Sequence, residues 1–170
     1  MDKGRGQAGA VIAAVAVAGV VVAAAWSLWP RPAAVAGPRA RQYLDTSACL
    51  LTGSAGIDQG TPGALAWRAM QSASLASHVM VSYLPASGPG SVRALLSTFA
   101  ERRCGVVVVT GASQVQVASA AKADPGQRFI LVTGTASAAS AAMPANALIV
   151  PAVRAPGLID REVTALAGAA

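Results

Sequence analysis

The stretch Cys104 to Gly134, "CGVVVVTGASQVQVASAAKADPGQRFILVTG", contains a complete strand, helix and strand. Its opening run, Gly105 to Val109, is continuously β-branched, which is the composition of a strand buried on both faces. Thr110-Gly111 ends that run. A helix is predicted near Ser113 to Ala123, and Asp124-Pro125-Gly126 turns into a second strand, Arg128 to Val132. This is a βαβ unit, and it implies a parallel sheet with helices laid over it.

The pattern extends in both directions. Toward the amino terminus, Gln42 to Thr52 reads as a strand, followed by a Gly-rich loop. The next helix, near Ala64 to Ser77, has Ala66, Ala69, Met70, Ala73 and Ala76 on one face. His78 to Leu84 is a further strand, and "PASGPG" is a turn. Ser91 is then the expected N-cap of a helix whose Val92, Leu95, Leu96 and Phe99 form an unbroken apolar stripe. Toward the carboxyl terminus, Ala147 to Pro151 makes a short fifth strand, and a last helix has Pro156 near its start with Ile159, Val163 and Leu166 inward. Residues 42–170 are therefore read as one three-layer α/β domain with a mostly parallel sheet of about five strands. Three near-identical phrases, "LLTGSA" from Leu50, "VVTGAS" from Val108 and "LVTGTAS" from Leu131, all fall at carboxyl ends of strands. In open parallel sheets that is the side where ligands bind.

Ahead of the domain, residues 1–7 form a short basic tail, and 8–29, "AGAVIAAVAVAGVVVAAAWSLW", run without a charge. That length spans a bilayer as a helix, and Trp26 and Trp29 suit its interface. A cleaved signal peptide is the competing reading, with "AVAG" at Ala34 to Gly37 as the cleavage site. The length of the apolar run and its Trp-rich close favour the anchor, with 30–41 as a Pro, Ala, Gly and Arg linker. The expected location is the cell membrane, single-pass, with the bulk of the chain outside the cytoplasm. Lipidation at Cys49 is rejected, because it lies far past the apolar run and inside a strand.

The formal charge of +6 raises the question of nucleic acid. Residues 1–41 carry five basic residues against one acidic, a net of +4, and the remainder carries eight against six, or +2. The excess flanks the apolar segment instead of the folded domain, and only 4% of the chain is aromatic, so nucleic-acid binding is not expected.

Catalytic material is scarce. "GSAGIDQGT" lacks the Lys of a phosphate loop, and Gly53, Gly56 and Gly60 have the wrong spacing for a dinucleotide fingerprint. There is no Gly-x-Ser-x-Gly elbow, and the one imidazole, His78, starts a strand on the side away from the carboxyl rim. No acid, base and nucleophile set assembles from the rim, so the chain is expected to bind without catalysing, and to use no metal or cofactor. Trp67 reads as a packing residue.

The stretches "ACLLTGSAGIDQGTPGALAWRAMQSAS" and Cys104 to Gly134 together resemble the amino-terminal lobe of the basic membrane protein (BMP) family of type 1 periplasmic binding proteins. The resemblance spans Tyr43 to Gly134 and rests on Gly56, Asp58, Trp67, Gly111, and Pro125 with Phe129. It departs where ligand is held: Gly60, Thr61 and Pro62 replace the family's Ser-Phe-Asn, and Thr133 replaces a strand-ending Asp. The family members are substrate-binding components of ABC importers, several taking nucleosides, and they close two lobes over the ligand. Together with the apolar segment 8–29, the resemblance implies a single lobe held at the membrane, with Thr52, Asp58, Thr110, Gly111 and Thr133 lining a rim for a nucleoside-like solute. The alternative is a degenerate lobe that serves as a structural or protein-interaction domain of the envelope, through a partner or self-association.

Cys49 and Cys104 complete the reading. Strands aligned at their Thr-Gly ends would hold the two roughly 10 Å apart, too far to bridge, whereas a slipped register would bring them together. A disulfide and two buried thiols both remain open.

Overall fold

A computed structural model of the chain describes residues 42–134 and 142–169. The basic tail 1–7, the apolar segment 8–29, the linker 30–41 and the end of the third Thr-Gly phrase lie outside the described residues. Among the described residues no helix is long and apolar enough to cross a membrane.

Five strands, β1 (Ser47–Thr52), β2 (Met80–Pro85), β3 (Val106–Thr110), β4 (Arg128–Thr133) and β5 (Ala147–Pro151), form one sheet in the order β2-β1-β3-β4-β5. All four neighbouring pairs are parallel. The helices are α1 (Pro62–Ser77), α2 (Pro89–Glu101), α3 (Gln114–Ala123) and α4 (Ala155–Ala167).

Strand alternation divides the core in two. Ala48, Leu50, Val106, Val108, Ile130 and Val132 face α1 and α4, where they meet Met70, Ala73, Ile159 and Val163. Cys49, Leu51, Val107, Val109, Phe129 and Leu131 face α2 and α3, where they meet Leu96, Phe99 and Val117. Every residue of β3 is buried, as its β-branched run requires. On the first face the layers approach closely: a Cβ on Gly105 would stand 2.7 Å from Leu166 Cδ2, so the last turn of α4 rests on bare backbone.

Several boundaries differ from the sequence reading. β1 begins at Ser47 instead of Gln42, because β2 starts at Met80 and the residues before Ser47 find only isolated bonds, such as Leu44 N–H to the His78 carbonyl at 2.9 Å. His78 is the left-handed C-cap of α1, with φ 61°, and does not belong to β2. Ala76 is exposed, and Ser74 is buried in its place. Ser91 is the third residue of α2 instead of its N-cap. Pro89 supplies a preset first-turn φ, Gly88 is the cap, and the Ser91 hydroxyl accepts from Gly88 N–H at 3.3 Å.

The cysteines are joined as a disulfide, with Cα atoms 5.9 Å apart. The register is not slipped, since Cys49 stands opposite Val107 and the strand ends stay level. The bridge forms because Cys104 lies outside the line of β3. Arg103 adopts φ 54°, Cys104 N–H returns to the Phe99 carbonyl at 3.1 Å, and the side chain drops into the α2 and α3 face of the core. A strand extended straight through this turn would keep the two sulfurs apart.

The bridge closes a loop of 55 residues, for which chain entropy assigns about 4 kcal/mol. The double variant Cys49→Ala, Cys104→Ala should lose about 2–4 kcal/mol in urea denaturation against the oxidised protein. A loss within about 0.5 kcal/mol would mean that core burial alone fixes these elements.

Candidate functional site

The helix after β1 covers one face of the sheet and the helix after β3 covers the other, so the strand order reverses between β1 and β3. This switch point is where an open parallel sheet offers a crevice. Two of the Thr-Gly phrases meet at its base. A Cβ on Gly111 would stand 2.8 Å from both Cα and N of Gly53, and Gly111 has φ 75°. The two strand ends therefore touch backbone to backbone, a contact that any side chain at Gly111 would break.

The loop after β1 folds back on α1. Gly56 N–H donates to the Gly53 carbonyl at 3.0 Å, and Thr61 caps α1 by accepting from Ala64 N–H at 3.1 Å. The Thr61 hydroxyl also donates to the Asp58 carbonyl at 2.7 Å. Left-handed φ angles at Gly56 (57°) and Gly60 (82°) make the reversal. Gly63 must be glycine for a different reason, since a Cβ there would lie 2.3 Å from the Gly56 carbonyl oxygen. The loop is thus built on α1, and Asp58 keeps its backbone in the turn while its side chain is exposed.

The residues expected to line the rim do not share one environment. Asp58 and Gly111 are exposed, and Thr133 is half-buried with its carbonyl accepting from Ala152 N–H at 2.9 Å. Thr52 and Thr110, read from the sequence as rim residues, are buried. Thr110 Oγ1 donates to the Leu51 carbonyl at 3.4 Å. Thr52 Oγ1 has no hydrogen-bond partner among the described residues, and its methyl faces Gly63. Their positions follow from strand parity: Thr52 continues the inward series of Ala48 and Leu50.

Other residues lie as their chemistry requires. Trp67 packs on Tyr83 with ring centroids 5.2 Å apart, beside the edge strand β2. His78 is exposed at the opposite end of the sheet from the rim. Among the described residues no group of three or more His, Cys, Asp or Glu is placed to hold a metal ion. Sequence reasoning missed Gln116, which completes a capping box with Ser113 and donates from Nε2 to the Pro89 carbonyl at 2.8 Å, tying α3 to α2 beside the rim. The Ser-x-x-Gln pattern was visible in the sequence, but the bond across to Pro89 had no local signal.

The glycine contact is testable. Gly60→Ala, with open space around it and only its φ to strain, should cost about 1 kcal/mol. Gly111→Ala adds the overlap with Gly53 and should cost more than about 3 kcal/mol in the same denaturant measurement. Equal losses would show that the strand ends part without consequence.

Neither a scan against protein-family models nor a search of curated proteins found a match. Among solved structures, the chain is similar to a "putative lipoprotein" fragment from Peptoclostridium difficile 630, at 13% identity and a TM-score of 0.59, covering 72% of this chain and 97% of that one. An ABC transporter system solute-binding protein from Aeropyrum pernix K1 aligns at 16% identity and a TM-score of 0.49, over 61% of this chain and 28% of that one. The lipoprotein fragment and this chain share one α/β fold.

Proposed function

We propose that the chain is a solute-binding-like module of the cell envelope, similar to one lobe of a BMP-family binding protein and held at the membrane by residues 8–29. The observation that carries this reading is the switch point between β1 and β3, flanked by a loop built on left-handed glycines and by the exposed Gly111. Asp58, Gly111 and Thr133 are the residues offered to a ligand. Thr52 and Thr110 act from beneath, by fixing the strand ends. A nucleoside-like solute is the ligand class that the resemblance implies, with Asp58 accepting from a sugar hydroxyl or base N–H. The module binds and does not catalyse.

With the full chain, a nucleoside panel should include one member that raises the melting temperature in a saturable way. Asp58→Ala should then weaken that binding by about tenfold or more, the loss of one charge-assisted hydrogen bond. A flat response across the panel would sink the nucleoside version.

Burial of Thr52 and Thr110 favours a second reading, a degenerate lobe that works as a structural or interaction domain of the envelope. It strips two hydroxyls from the rim, while Met80 and Tyr83 stay exposed on the edge strand β2. If the lobe pairs with itself, sedimentation of the full chain should give a concentration-dependent dimer. A strict monomer would remove self-association.

A further inference from the structure

A second concavity lies away from the crevice between β1 and β3. A cleft of about 800 Å³ runs between α2 and α3, with Leu96, Ala120 and Phe129 among its apolar walls. That volume is in the range of small-molecule sites. Its polar side chains are Arg93, Ser97, Gln116, Ser119, Asp124 and Gln127, and the two charged ones are separated by sign. Arg93 lines the wall about one turn in from the rim end of α2, and Asp124 and Gln127 line the far end, where α3 stops. Arg93 is exposed and Asp124 half-buried, and neither side chain has a hydrogen-bond or ion-pair partner among the described residues. Gln127 is 5% exposed, and its Nε2 donates to the Cys104 carbonyl at 2.8 Å. A carbonyl can only accept, so that bond fixes the amide orientation and leaves Oε1 as a buried acceptor with no donor among the described residues.

The cleft is held open at both ends. At the rim, Gln116 Nε2 is bonded to the Pro89 carbonyl. At the far end, Asn146 Nδ2 lies 3.0 Å from the Ala121 and Asp124 carbonyls and 2.9 Å from that of Gln127. Between these ties α3 buries only Val117 and Ala121, too little bulk to fill the seam, and it cannot slide inward without losing its anchors.

From the unpaired cation at one end, the unpaired acceptors at the other and the apolar walls between, we infer that this cleft binds a small zwitterion with an apolar body, a short apolar peptide with free termini. The carboxylate pairs with Arg93, and the ammonium donates to Asp124. Arg93 lies four residues past Pro89 and Asp124 eight past Gln116, so with those two level the ends differ by about 6 Å along the helices, and a helix spacing of about 8–10 Å across the seam brings their separation to roughly 10 Å. An extended tripeptide spans about 10 Å, whereas a single amino acid does not reach. The site shares no lining residue with the crevice between β1 and β3, and its occupancy does not depend on whether that crevice takes a solute.

The test uses the full chain and leucyl-alanyl-leucine, with thermal melting and calorimetry as readouts. A hundredfold excess over Kd should raise the melting temperature by about 8 °C. Affinity should fall at least tenfold for the N-acetylated peptide and for Asp124→Asn, and likewise for the C-amidated peptide and for Arg93→Gln. Ala120→Leu, which narrows the cleft, should remove binding from a protein that still melts cooperatively. No saturable shift with the free tripeptide would overturn the proposal. So would a shift that survives undiminished in both charge variants.

Discussion

The pairing of β1 with β3 is the constraint on which the rest of the domain depends. These central strands are joined by a ladder from Ala48 opposite Val106 to Leu51 opposite Val109. They are also fastened beyond both ends of the ladder. At one end the Cys49 to Cys104 bridge ties β1 to the turn that feeds β3, and Gly105 N–H donates to the Ser47 carbonyl at 2.8 Å. At the other, Gly53 and Gly111 meet backbone to backbone. A one-residue slip would turn every side chain of the pair to the wrong face. It would also part the glycines. Register is therefore specified by burial, by a covalent bond and by steric fit together.

The position of the site follows from that pairing. Because β1 and β3 are neighbours whose following helices leave on opposite faces, their outgoing loops diverge and open a crevice above the glycine contact. The same contact makes the floor shallow. Thr52 and Thr110, the residues just below it, are sealed beneath the crossing backbone, so the polar chemistry left to the rim comes from loop residues such as Asp58. Thr52 Oγ1 has no hydrogen-bond partner among the described residues, at the point where Gly63 brings α1 close to its methyl.

Much of the architecture was legible because its signals are local and periodic. The β-branched run of β3, the stripe of α2 and the turn at Asp124 to Gly126 each carry their own pattern, and β5 was placed residue for residue. What escaped depended on contacts distant in sequence. The disulfide required knowing that the chain bends at Arg103, a left-handed residue with no glycine to announce it. The Thr-Gly phrases read as a binding rim because they end strands. Which threonines would face inward depended on strand parity and on how near α1 approaches, and no repeat in the sequence encodes the second. Gln127 and Asn146 were invisible for the same reason: isolated polar residues in turns acquire meaning only from the carbonyls that surround them.

Small side chains produce opposite results at the two helical seams. Between α1 and α4, the alanines Ala66, Ala69, Ala73 and Ala155 let the layers come close, and Met70, Ile159 and Val163 fill what remains. Between α2 and α3 the bulk is one-sided. Leu96 and Phe99 of α2 have only Val117 and Ala121 of α3 to meet, and the ties at Gln116 and Asn146 keep α3 from settling nearer. An Ala-rich composition closes a seam when the larger residues alternate across it, and leaves a cleft when they lie on one side and the backbone is pinned. The two faces of one sheet thus come to differ, one packed to the backbone and the other left open as a cleft.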